Sequence, residues 1–128
     1  MRLLLDTCTF LWIVGDSPHL SARAKRLHAA VESDVYLSAV SCWEIAVKHA
    51  LGRLKLPEPP HRFVPEMRDA HGIESLPLSE TETLLLPRLP ALHRDPFDRM
   101  LVCQAMHHGL TILTPDEAIS PYPVPTIW

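Results

Sequence analysis

Five acidic residues stand where a folded chain could gather them into one polar centre. Asp6 directly follows the apolar triplet Leu3-Leu4-Leu5, and Glu44 lies in Ser38-Ala39-Val40-Ser41-Cys42-Trp43-Glu44-Ile45. Asp95 and Asp98 belong to His93-Arg94-Asp95-Pro96-Phe97-Asp98, and Asp116 follows Leu113-Thr114-Pro115. Gathered carboxylates repel one another, by roughly 4 kcal/mol for a pair about 4 Å apart at an effective dielectric of about 20. Cations remove that objection. Hard oxygen ligands select magnesium or manganese, which keep several waters and bridge to phosphate oxygens. The chemistry such a centre supports is attack of a metal-activated water on a phosphodiester, with cation charge stabilising the transition state and the leaving oxygen.

Taken singly, each acid has a plainer reading. Asp6 could be a cap or turn residue, Asp95 and Asp98 could be N-terminal charges favoured by a helix dipole at about 0.3 to 1 kcal/mol each, and Asp116 could be a turn former after Pro115. Glu44 is harder to explain away. Val40, Trp43 and Val47 mark the expected buried stripe of its helix, and a carboxylate beside that stripe without a partner is expensive. A metal would supply the partner.

The elements that must position these acids follow from the apolar pattern. Leu3-Leu4-Leu5 reads as a short strand buried on both faces, as in parallel sheets, and Phe10, Leu11 and Val14 space as one face of a following helix. Ser21 predicts an N-cap for a helix to about Glu32, with Ala24, Leu27, Ala30 and Val31 inward and Arg23, Lys25 and Arg26 outward. Val35-Tyr36-Leu37 is the next strand, and Ser38 caps a long helix that Gly52 weakens and Pro57 stops. A helix over about 60–70, an apolar stretch from Ile73 to Leu76, and the capping box Ser79-x-x-Glu82 come next, the last helix being broken at Pro87 and Pro90. Pro96 opens a helix to about His108, closed by Gly109, and Thr111–Thr114 is the last clear strand before a short one near Thr126. Strands alternating with one or two helices predict a three-layer α/β fold with a mainly parallel sheet. In open α/β sheets ligands bind beyond the carboxyl ends of the strands, where Asp6 and Asp116 fall.

Composition bounds the rest. The chain has 128 residues, 47% of them hydrophobic, as suits one compact domain over 1–128. No apolar run approaches the roughly 20 residues of a membrane span, and the apolar start meets Asp6 too soon for a signal peptide, so a soluble, cytoplasmic protein is expected. Cys8, Cys42 and Cys103 are odd in number and widely spaced, which supports neither a disulfide framework nor a zinc knuckle. The formal charge of −3 provides no basic footprint, so a phosphate substrate needs bound cations or a local patch.

Four stretches in order resemble the motifs of the PIN-domain ribonucleases: Leu3-Leu4-Leu5-Asp6-Thr7; Ser38 to Ile45; His93-Arg94-Asp95-Pro96-Phe97-Asp98-Arg99-Met100-Leu101-Val102-Cys103-Gln104-Ala105; and Leu113-Thr114-Pro115-Asp116. More narrowly, the length and the stretch from His93 to Arg99 resemble the VapC toxins of bacterial and archaeal type II toxin–antitoxin pairs. The resemblance runs from residue 1 to about residue 120. It implies a PIN-like α/β/α sandwich and a magnesium- or manganese-dependent endoribonuclease. Position by position, Asp6, Glu44 and Asp98 match the core acidic triad and Asp116 the fourth, more variable acid. Asp98 is preferred to Asp95 because it stands seven residues before Ala105. Asp95 is then an auxiliary acid or a cap. Thr7 and Thr114 match the hydroxyl residues beside the first and last acids, where they could bind a metal-held water or satisfy backbone groups. The implied partners are RNA and a VapB-like antitoxin that inserts a segment, often with an Arg, into the acidic site. The implied assembly is a homodimer or a toxin–antitoxin hetero-oligomer.

The remaining polar residues carry less. Arg94, Arg99 and Lys48 could meet RNA phosphates, as could Arg23, Lys25 and Arg26, although solvated helix faces explain most of them. The eight histidines show no zinc spacing and are read as non-ligands. Trp12 and Trp43 could stack bases but read first as core or interface, and Leu11, Trp12, Leu51 and Leu54 could face a partner. A haloacid-dehalogenase-type phosphatase would want a second Asp where Cys8 stands, and no Gly-rich turn follows a strand, which excludes a P-loop or dinucleotide site. Two other readings stay open: an RNA-processing nuclease outside any toxin system, and a partner-binding module whose acids are structural.

Overall fold

A computed structural model describes residues 1–128. Five strands, β1 (Arg2–Leu5), β2 (Asp34–Ser38), β3 (Glu74–Leu76), β4 (Thr111–Leu113) and β5 (Thr126–Ile127), form one sheet in the order β3-β2-β1-β4-β5, and every pairing is parallel. Six helices connect or flank them: α1 (Thr7–Val14), α2 (Ala22–Ala29), α3 (Ala39–Ala50), α4 (Pro60–Ala70), α5 (Glu80–Thr83) and α6 (Pro96–His108).

Helices on both faces explain why three successive leucines in β1 are all buried. Side chains alternate across a strand, so Leu3 and Leu5 enter one core with Phe10, Val35, Leu37, Phe63 and Val64, while Leu4 enters the other with Leu101, Val102, Ala105 and Ile112. The first core lies under α1, α2 and α4, the second under α6. Helix α3 belongs to both, Ile45 packing in one and Val40 in the other. It crosses the carboxyl edge of the sheet and can present a side chain to it.

Several expectations need correction. Helix α2 stops at Ala29, because Ala30 turns extended (φ −65°, ψ 133°). The three residues left must bring Asp34 N to Met1 O and start β2 beside β1, so Val31, expected inward, is fully exposed. The buried stripe of α3 is Val40, Ser41, Glu44 and Ile45, rotated from the one expected, and Trp43 is 59% exposed. The capping box at Ser79 and Glu82 forms as expected but opens a helix of a single turn, followed by a 3-10 turn over Leu86–Arg88 that accommodates Pro87. Gly109 ends α6 in the left-handed conformation (φ 65°), which a residue with a Cβ takes only at a cost.

Candidate functional site

Sheet register creates the first half of the site. Leu5 pairs with Leu113, so the next residues, Asp6 and Thr114, leave neighbouring strands side by side at the carboxyl edge. Asp6 caps α1, its Oδ1 accepting from Thr9 N at 2.7 Å, and its Oδ2 accepts from the Thr114 hydroxyl. Thr114 Oγ1 in turn accepts from Asp116 N at 3.0 Å. Asp6 is 6% exposed, and that burial raises its carboxyl pKa above the usual range despite the opposing hydrogen bonds from Thr114 and Thr9, with the Asp116 charge adding to the rise. Thr114 therefore satisfies a backbone group, as one sequence reading of it has it, and in addition bonds the Asp6 side chain directly, which neither reading included.

Helix α3 provides the second half. Glu44 is 5% exposed and well partnered: its Oε1 accepts from Thr7 Oγ1 at 2.6 Å, and its Oε2 from Lys48 Nζ one turn on. Ser41 Oγ lies 3.0 Å from Thr7 Oγ1, and with one hydroxyl proton committed to Glu44, Thr7 accepts from Ser41. The expectation that Glu44 lacks a partner is thus wrong, because helical spacing brings Lys48 back over it. The bond to Glu44 raises the Lys48 pKa, against a smaller opposing effect of burial.

The third contribution comes from the start of α6. Asp95 is its N-cap, accepting from Phe97 N at 2.9 Å and Asp98 N at 3.2 Å, so the cap reading of Asp95 describes what it does here. Asp98 projects from the first turn, and its carboxyl is pushed up to about 6 by burial first, then by the charges of Asp95, Asp116 and Glu44, against the bond from His93. His93 Nε2 lies 3.3 Å from Asp98 Oδ2, and its Nδ1 lies 2.7 Å from the Tyr122 hydroxyl. Weighing the histidines against zinc alone and reading them as non-ligands left this contact out; His93, five residues before Asp98 and just ahead of the helix cap, was the available signal.

Asp6, Glu44, Asp98 and Asp116, drawn from four separate segments, thus share one neighbourhood. Cys8 marks its mouth: burial raises its thiol pKa, and the charges of Asp6, Glu44 and Asp98 add to the rise while Lys48 opposes it. No three His, Cys, Asp or Glu side chains stand close enough together to hold a metal ion between them. The donor set is nonetheless all carboxylate, and magnesium, which keeps several of its waters, is held through one or two carboxylates rather than by a protein cage. The residues fit such an ion. Arg94 is exposed, whereas the Arg99 Nε is buried without a hydrogen-bond partner. Beside Asp116 a cleft of about 240 Å³ is lined by Thr114, Glu117, Ser120 and Trp128, and none of the last three was singled out in the sequence.

Known proteins resemble this arrangement. Ribonuclease VapC16 of Mycobacterium tuberculosis is 37% identical over 70 residues, 52% of this chain and 50% of that protein, so the match spans about half the length of that curated relative. In solved structures, the fold matches VapBC2 from Rickettsia felis, bound to a DNA fragment from their promoter, with a TM-score of 0.74 at 15% identity over 99% of this chain and 98% of that one. It also matches FitAcB from Neisseria gonorrhoeae, with a TM-score of 0.66 at 22% identity over 98% and 96% of the two chains. At those identities the likeness establishes the α/β sandwich expected from the strand and helix pattern. Residues 3–123 match the PIN domain family, and with that span, this fold and the acids at its carboxyl edge, the chain belongs to the PIN domain family.

Proposed function

We propose that this chain is a divalent-metal-dependent endoribonuclease, the toxin of a type II toxin–antitoxin pair, with Asp6, Glu44 and Asp98 as the main metal-holding acids and Asp116 assisting. The observation that carries this reading is the convergence of buried Asp6 and Glu44 with half-buried Asp98 and exposed Asp116, from distant segments and within electrostatic reach of one another, the pKa of Asp6 and of Asp98 being raised. A purely structural role has no need of that burden, and a cation relieves it. Magnesium or manganese, when bound, supplies Lewis-acid charge and a water acidified enough to attack a phosphodiester.

The chain's own residues orient the ligands. Thr9 N and Thr114 fix the Asp6 carboxylate, and Thr7 with Lys48 fixes Glu44. Asp98, with its carboxyl pushed up to about 6, is mostly ionised at neutral pH and would be held in that form by a bound cation. Exposed Arg94, just before α6, is suited to RNA phosphates, and Arg99, in the first turn of α6 and partly buried, lies near it in the chain. Lys48 serves Glu44 first.

The names of the relatives, a VapC ribonuclease and the VapBC and FitAcB proteins, support RNA as substrate, a VapB-like antitoxin as the silencing partner, and a homodimer or toxin–antitoxin hetero-oligomer as the assembly. No helix is long and apolar enough to cross a membrane, and the cytoplasm is the expected site of action. The test is RNA cleavage by protein purified free of any partner. Cleavage is expected with magnesium or manganese, is abolished by chelation, and is lost in Asp6→Asn and Asp98→Asn. Expression should arrest growth, and Asp6→Ala and Asp98→Ala should relieve the arrest. Cleavage or arrest that survives both acid substitutions sinks the mechanism.

A further inference from the structure

Gln104 lies in the interior of α6, fully buried and outside the acid cluster, and a buried amide must have its hydrogen bonds met within the protein. Its Oε1 accepts from Ser38 Oγ, while its Nε2 donates to Pro77 O at 3.3 Å and to Glu82 Oε2 at 3.4 Å. Ser38, also fully buried, is the N-cap of α3 and accepts from Val40 N at 3.0 Å. Glu82 is itself fixed by Ser79 N at 2.7 Å and by His108. One side-chain bond therefore joins the start of the helix that carries Glu44 to the helix that carries Asp98.

Its position along the two helices gives it a further meaning. Glu44 lies six residues beyond Ser38, and Gln104 lies six residues beyond Asp98. That is about 9 Å in each case, at about 1.5 Å per residue. A second cross-contact, Trp43 edge-to-face on Phe97 with centroids 4.9 Å apart, sits one residue before each acid. Equal offsets in opposite chain directions describe two antiparallel helices whose register faces Glu44 toward Asp98 when Ser38 meets Gln104. The rest of this contact is made by apolar side chains such as Val40, Leu101 and Ala105, and apolar packing is non-directional and tolerates sliding. A buried polar pair does not tolerate it, and in paired helices one such pair can fix the register.

We propose that Gln104 is a positioning residue: by bonding Ser38 it fixes the axial register of α6 on α3 and so sets the position of Asp98 relative to Glu44, on which binding of a shared cation would depend. The proposal rests on the reading that these acids share a cation.

The test uses the full chain purified free of partner. Nuclear Overhauser contacts between the Trp43 indole and the Phe97 ring report the register without metal, and calorimetric titration with manganese alone reports its consequence. In Gln104→Met, which keeps length but loses all three side-chain hydrogen bonds, the ring contacts are expected to weaken and manganese affinity to fall about tenfold. Ser38→Ala should do the same while also removing the α3 cap, and the double variant should add little to the ring-contact and affinity losses, since the two variants share the Ser38–Gln104 bond. Leu20→Ala truncates the core on the sheet face opposite α6; it should lower the melting temperature and leave both readouts at their wild-type values. Unchanged ring contacts and affinity in Gln104→Met, or equal losses in Leu20→Ala, overturn the proposal. If the wild-type chain binds no manganese while Gln104→Met still loses the ring contacts, the shared-cation reading fails and the register role stands.

Discussion

Asp98 is the acid whose surroundings least favour a charge, and this has a measurable signature. Its pKa rises from 3.8 to about 6 on folding, so between those values the folded chain keeps a proton that the unfolded chain releases. Stability then falls as pH rises through that window. Metal-free protein should melt at a lower temperature near pH 6 than near pH 4 through this group, and Asp98→Asn should flatten that part of the profile. A cation reverses the preference, because it binds the ionised form; manganese affinity should weaken as pH drops below about 6, which titration calorimetry across that range would reveal. Thr7 tests the orientation of Glu44. Thr7→Val keeps the shape but removes the 2.6 Å bond, and manganese affinity should fall by about 10- to 100-fold while the fold persists. An unaltered affinity would mean that Lys48 alone holds Glu44. The acids themselves were legible as residue types after apolar strands; Lys48 over Glu44, Thr114 on Asp6 and His93 on Asp98 were not, because each bond depends on how side chains meet in three dimensions.

At the level of elements, the strands and helix starts were readable because their causes are local. The short apolar triplet Leu3-Leu4-Leu5 has the pattern of a doubly buried strand, and Ser21, Ser38 and Asp95 accept from backbone N–H groups two or three residues on. Helix ends and helix faces were less so. The end of α2 is imposed by the need to begin β2 at Asp34, and the face of α3 is set by packing on both sheet faces together with Thr7. Val31 is a sharp case: inward by periodicity, fully exposed in the fold. Val31→Lys should therefore change unfolding free energy by no more than about 0.5 kcal/mol, measured by urea denaturation. A loss of several kcal/mol would restore the longer helix.

For the whole molecule, the proposed cation site has a thermodynamic consequence, because an ion that binds only the folded chain stabilises it. Manganese at about 100 times its dissociation constant should stabilise the fold by about 2.7 kcal/mol, read as a rise in melting temperature that chelation reverses. A melting temperature indifferent to manganese would count against any cation site at the carboxyl edge. The strand order carries weight here as well: β1 lies between β2 and β4, so the acid after β1 has α3 on one side and the Thr114–Asp116 turn on the other.

The sequence by itself determined the alternation of strands and helices, the parallel α/β class, the acids that follow the strands, and the resemblance to a nuclease family. These follow from periodicity, capping and motif order, all properties of short stretches of chain. Only the tertiary structure decided which of those acids share one neighbourhood, that Glu44 already has a cation in Lys48, that Asp95 caps α6, and that Ser38 and Gln104 tie the two acid-bearing helices together. Such facts depend on sheet register and helix-on-helix packing between residues as far apart as Asp6 and Thr114, and no local spacing encodes those distances.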